Sequence, residues 1–102
     1  MNPLIAVHES ELVELCRRYH VQRLELFGSA ATGRFRPDTS DLDFLVVFRS
    51  LTPGEHADAY FGLLFALEDM FQRRIDLVEE GAIENPYFQR IADQSRTPVY
   101  AA

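Results

Sequence analysis

Only one cysteine, Cys16, occurs in the chain, so no intramolecular disulfide can form and no thiolate pair is available to hold a metal. Cys16 lies within an apolar helical pattern and reads as a small buried hydrophobe, not a reactive thiol. Long apolar runs are lacking too. The stretch from Pro3 to Val7 is interrupted by His8 and Glu9, which makes it too short for a signal-sequence core or a membrane span. The expectation is a soluble, cytoplasmic protein. Basic residues are few: 10 Lys and Arg stand against 16 Asp and Glu, a net charge of −6 at pH 7. Such a field repels a polyanion and argues against non-specific nucleic-acid binding. The histidines, His8, His20 and His56, are too scattered to form a ligand cluster. The sequence shows no repeat, low-complexity tract or linker.

What is present fits one domain spanning residues 1–102, because 47% hydrophobic residues suffice to fill a single core at this length. Leu12, Leu15, Cys16 and Tyr19 recur at helical spacing after Ser10, a candidate N-cap, so residues 10 to 20 are expected to form an amphipathic helix. Val21 to Phe27 reads as a strand, with Leu24 and Leu26 on one face, that stops at Gly28 in a tight turn. Asp41 to Phe48 is the clearest strand. Leu42, Phe44, Val46 and Phe48 line one face and Leu45 and Val47 the other, the mark of a central strand covered on both sides. Thr52-Pro53-Gly54-Glu55 is a capping box with proline at the first helical position, opening a helix to about Arg73. That helix carries apolar residues on more than one stripe, from Tyr60 to Phe71, and part of it is expected to meet another chain. Ile75 to Val78 reads as a short strand, a helix restarts at Asn85-Pro86 with Phe88 and Ile91 inward, and Thr97 to Tyr100 is extended.

The chemistry-bearing stretch runs from Gly28 to Val46. Gly28-Ser29 ends a strand and precedes a short Ala-rich segment, which suits a backbone that approaches a ligand and turns its amides toward a phosphate. Asp41 and Asp43 are two apart in a strand and so project from one face, followed there by Leu45 and Val47. Like-charged carboxylates beside a core repel and are costly to desolvate unless a cation neutralises them. A hard divalent ion answers that demand, and Mg²⁺ is commonly held by one or two carboxylates together with substrate phosphates. Asp76 is a third acid within an otherwise apolar strand. Taken singly, Gly28-Ser29 is an ordinary turn and Asp41 a capping residue after Thr39-Ser40, whereas Asp76 favours the site even alone, although a salt bridge to Arg73 or Arg74 would also explain it. Arg34 and Arg36 read equally well as solvated loop charges. Jointly, three acids on apolar strands beside a phosphate turn favour a metal site.

In order and type, Gly28-Ser29, Asp41-Leu42-Asp43 and Asp76 resemble the signature of the minimal nucleotidyltransferase (MNT) family of the DNA polymerase β-like superfamily. The likeness extends over nearly the whole chain, from the first helix through Asn85-Pro86-Tyr87-Phe88 to Pro98-Val99-Tyr100. Eleven residues separate Ser29 from Asp41, slightly more than the shortest family spacing. The resemblance implies an α/β (α+β) fold, a small mixed sheet flanked by helices. It also implies metal-dependent transfer of a nucleotide, with Asp41, Asp43 and Asp76 as catalytic residues and ligands of two Mg²⁺ ions. Gly28, Ser29, Arg34 and Arg36 would bind the triphosphate of ATP or another NTP, and Asp76 would serve as general base.

Larger members of the superfamily carry additional domains that hold the acceptor, so here the acceptor is expected to be a partner or to be held by one. Stand-alone family members are typically antitoxins of HEPN ribonuclease toxins, and some adenylylate a tyrosine of the toxin. The first expectation is thus an ATP-dependent protein adenylyltransferase acting as antitoxin, with a HEPN-type partner and room for a homo-oligomer. A silent antitoxin acting by occlusion is the rival. Transfer to a small molecule or RNA end fits the size and negative charge less well.

Overall fold

Residues 3–28, 41–82 and 96–102 are described by the structure, a computed structural model. Two helices open the chain, α1 (Pro3–Val7) and α2 (Glu9–Arg18), with His8 between them. Ser10, the N-cap expected from the sequence, lies inside α2, and His8 stands at the cap position without a side-chain bond. The α1 segment is itself helical and leads into α2, and the His8 carbonyl already accepts from the Leu12 amide at 2.9 Å. Strand β1 (Val21–Phe27) follows, and β2 (Leu42–Phe48) is its antiparallel neighbour.

Helix α3 (Pro53–Phe71) begins at the expected capping box: the Thr52 hydroxyl accepts from the Glu55 amide while the Glu55 carboxylate accepts from the Thr52 amide. It ends at Gln72, which adopts the left-handed conformation at φ 51°. Mid-helix Gly62 has a packing reason, because a Cβ there would collide with the Tyr19 ring. The chain then enters β3 (Ile75–Glu79), parallel to β2, makes a 3-10 turn (Glu80–Ala82), and ends in β4 (Thr97–Ala101), antiparallel to β1. Among the described residues the sheet order is β3-β2-β1-β4, a mixed sheet with β2 inside it as its two-sided apolar pattern required. The expected helix at Asn85-Pro86 lies outside the described residues.

The two sheet faces differ. Ile5, Leu12, Cys16, Leu63, Leu67 and Phe71 from the three helices pack on Leu24, Leu26, Leu42, Phe44, Val46, Ile75 and Leu77. At ~1.5–3 kcal/mol for each fully buried large side chain, this side supplies most of the apolar stabilisation among the described residues. On the opposite face, among the described residues, the buried apolar cluster is Phe27 and Leu45 with Val78 against them. The same face carries Asp43 and Glu25.

Candidate active site

Strand pairing assembles the acids. In the parallel register of β2 and β3, Asp43 lies opposite Asp76, and in the antiparallel register of β1 and β2, Asp43 lies opposite Phe27. Asp41 immediately precedes β2 and, by the two-residue repeat of extended chain, stands on the Asp43 side. Two acids that are 33 positions apart in sequence thus face each other across neighbouring strands at the sheet's end.

Gly28 closes β1 with φ 72°, a left-handed conformation that glycine adopts without strain. A Cβ added to it would stand 2.5 Å from the Asp43 Oδ2 atom, so the backbone runs directly against the carboxylate. The glycine thereby gives Asp43 room, in addition to the phosphate approach expected from sequence.

Burial pushes the Asp43 carboxyl up to about 7, reinforced by a hydrogen bond with Asp76 and by the negative charges of Asp76 and Asp41, while Arg74 acts in the opposite direction. The cause is the one anticipated from the strand pattern: acids that are crowded and partly desolvated favour a neutral form unless a cation is near. Arg74 is the cation at hand, its Nε 3.9 Å from Asp41 and its Nη2 3.8 Å from Asp76.

Beside the pair lies a cleft of about 370 Å³, with Asp43 and Asp76 on one side and Phe27, Tyr60, Leu64 and Val78 forming apolar walls. Tyr60 donates its hydroxyl to the Leu77 carbonyl at 2.6 Å, which ties α3 to β3 where the acid sits. Burial, then the charges of Glu79 and Asp76, raises the Tyr60 pKa, so the phenol stays a donor. Farther along the same sheet face, Glu25 is buried and receives both Nε and Nη2 of Arg96, at 3.1 and 2.7 Å. Arg96 and Arg23 also reach Glu80, so four alternating charges fasten β1, the start of β4 and the turn that follows β3.

The donor set fits a hard divalent cation held jointly with phosphate oxygens. Among the described residues no three His, Cys, Asp or Glu stand close enough to hold a metal ion by themselves. Asp43 and Asp76 open onto the cleft, which suits a cation that completes its ligands with phosphate oxygens. Of the expected site residues, Gly28, Asp41, Asp43 and Asp76 are brought together, while Ser29, Arg34 and Arg36 lie outside the described residues. Sequence reading missed the cleft walls Phe27, Tyr60 and Leu64 and the Glu25–Arg96 pair. An acid at Glu25 between Leu24 and Leu26 was a visible signal, but its partner is 71 positions away.

The model of the nucleotidyltransferase domain family matches residues 10–99. A Methanocaldococcus jannaschii protein, assigned as a protein adenylyltransferase, is 35% identical over 80 residues, 78% of either chain. A solved structure described as a minimal nucleotidyltransferase shares 32% identity with a TM-score of 0.69, covering 91% of this chain and 90% of its own. In fold, the chain is also similar to one from a complex of a tri-AMPylated Shewanella oneidensis HEPN toxin with an MNT antitoxin. There the TM-score is 0.64 at 18% identity, with 96% of this chain and 73% of that one covered. With the family model spanning most of its length and relatives above 30% identity covering most of it, the chain belongs to the nucleotidyltransferase domain family and is a minimal nucleotidyltransferase.

Proposed function

We propose that this minimal nucleotidyltransferase transfers AMP from ATP to a hydroxyl of a partner protein, and that the partner is a HEPN toxin which the chain neutralises as a cytoplasmic antitoxin. The observation that carries the reading is the facing Asp43 and Asp76 pair lining an apolar cleft, with the Gly28 backbone against the Asp43 carboxylate. The relative assigned as a protein adenylyltransferase and the fold shared with a chain of an MNT–HEPN complex support the choice of AMP and of a protein acceptor. A further fold neighbour, 21% identical, comes from a toxin–antitoxin crystal containing AMP-PNP, which agrees with an adenine nucleotide.

Asp41, Asp43 and Asp76 would hold Mg²⁺, two ions by the family pattern, whose bound charge offsets that of the phosphates and of the attacking and leaving oxygens. The remaining steps belong to the chain. The acceptor hydroxyl attacks the α-phosphorus, the Pα–O bond to the α,β-bridging oxygen breaks, and pyrophosphate leaves with that oxygen. Asp76 takes the hydroxyl proton as the new P–O bond forms. Gly28 and Ser29 would bind the triphosphate, and Arg34 and Arg36 would offset charge on the departing pyrophosphate. Phe27, Leu64 and Val78 give the cleft apolar walls beside the acids.

Mass spectrometry of the co-expressed partner tests the reading. An added AMP mass with the wild-type chain, absent with Asp41→Asn/Asp43→Asn, is the expected result. Full neutralisation by that double variant without any mass change would assign the protein to the occluding class instead.

A further inference from the structure

We infer that Arg74 is an exchangeable counter-charge, resting on Asp41 and Asp76 before the nucleotide arrives and moving to the triphosphate when it binds. The inference rests on the reading above, that this site takes a metal-nucleotide.

Three features of the residue point this way. Its backbone is fixed: the Arg74 carbonyl accepts from the Leu42 amide at 3.3 Å, so the residue is pinned beside the strand that bears the acids. Its side chain, by contrast, is 74% exposed. The guanidinium stands 3.9 and 3.8 Å from its two carboxylates, outside hydrogen-bond reach, whereas Arg96 closes on Glu25 at 2.7 Å. Among the described residues these two acids are its partners. An arginine held by attraction alone, on an exposed stem, gives up its position at little cost.

Two binding events then pull in opposite directions. A divalent ion approaching Asp41, Asp43 and Asp76 must displace a guanidinium that already occupies the same field, so Arg74 opposes metal bound by itself. A triphosphate brings several negative charges to the same mouth, and the planar fork of arginine suits phosphate oxygens in pairs. Arg74 thus couples the two ligands, favouring metal that arrives with nucleotide over metal alone. Such an arrangement offsets part of the acids' charge between turnovers.

Isothermal titration of the full chain with Mn²⁺ alone, and with Mg²⁺ plus a non-hydrolysable ATP analogue, tests the coupling. In Arg74→Gln, Mn²⁺ alone is expected to bind about 5-fold tighter or more, and the Mg²⁺-analogue about 5-fold weaker or more. Arg74→Lys keeps the charge but not the fork. It should hold Mn²⁺ near the wild-type affinity while recovering only part of the analogue affinity. Because the side chain is exposed, neither variant threatens the fold. Affinities that move together, or not at all, overturn the proposal while leaving the site assignment standing. A wild-type chain that binds neither Mn²⁺ nor the analogue overturns both.

Discussion

Asp43 concentrates the conflict on which the site is built. Its carboxyl is raised from 3.8 to about 7 by burial and by Asp76 and Asp41, so the folded chain retains a proton that the unfolded chain releases. Stability must then fall as pH rises between about 4 and about 7, because in that window the native state binds more protons than the unfolded one. Asp43→Asn removes the ionisation. In the absence of metal it should stabilise the fold at about pH 8 by on the order of 1 kcal/mol, a figure already reduced for the group's partial exposure. The gain should vanish near pH 4, and Mg²⁺-dependent nucleotide binding should be lost at every pH. Denaturant unfolding at the two pH values checks the sign; destabilisation of equal size at both would contradict it. Gly28 belongs to the same conflict. Gly28→Ala brings a methyl against the Asp43 carboxylate and adds left-handed strain of about 1 kcal/mol. If the clash is the main effect, combining it with Asp43→Ala should recover roughly 0.5–3 kcal/mol in a double-mutant cycle. Simple additivity would show the strain alone to be at work.

At the level of elements, the sequence was most readable where a local pattern has a single physical outcome. Leu42, Phe44 and Val46 opposite Leu45 left little choice but an interior strand, and the Thr52 and Glu55 capping box fixed the start of α3 to the residue. Cys16 is fully buried, its thiol pushed up to about 12 by desolvation, in keeping with its reading as a small hydrophobe. Boundaries set by tertiary contacts were harder. His8 packs edge-on against Phe71 at 5.2 Å, a contact between α3 and the hinge of the first two helices that no local signal announces. The same holds for His56, whose ring lies 2.6 Å from Glu79 and edge-on to Phe48. For the site, the acids were legible because each broke an apolar strand. Their register was not. Nothing in the local sequence says that Asp43 meets Asp76 rather than sliding past it by two residues, and the Glu25–Arg96–Glu80 fastening depends on chain segments brought together only by the sheet.

For the molecule as a whole, the paired acids and the exposed aromatic ledge of α3 lie on different elements that meet at the lip of the cleft. Tyr60 and Leu64 of α3 line the cleft, and one position after each, Phe61 and Phe65 point outward, 52% and 62% exposed. The rings are continuous: Tyr60 meets Phe61 edge-on at 5.1 Å, and Phe61 lies 6.2 Å from Phe65. Asp58 and Asp69, exposed on the same helix, flank this ledge with negative charge. With a net charge of −6, two copies of the chain repel, so the ledge suits an apolar partner surface edged with basic residues better than a second copy. Aromatic anchors of this kind typically dominate an interface, at about 2 kcal/mol or more each. Phe61→Ser/Phe65→Ser should therefore raise KM for the protein acceptor about 30-fold or more, while Mg²⁺-ATP binds as before. Asp41→Asn/Asp43→Asn should do the converse, abolishing transfer while the two proteins still associate, because the acids lie on strands and the rings on a helix. Steady-state transfer to the purified partner, alongside calorimetry with nucleotide, separates the two. An unchanged acceptor KM in the Phe variant would remove the ledge from partner recognition. A wild-type dimer in sedimentation that the Phe variant dissolves would assign the ledge to a second copy of this chain.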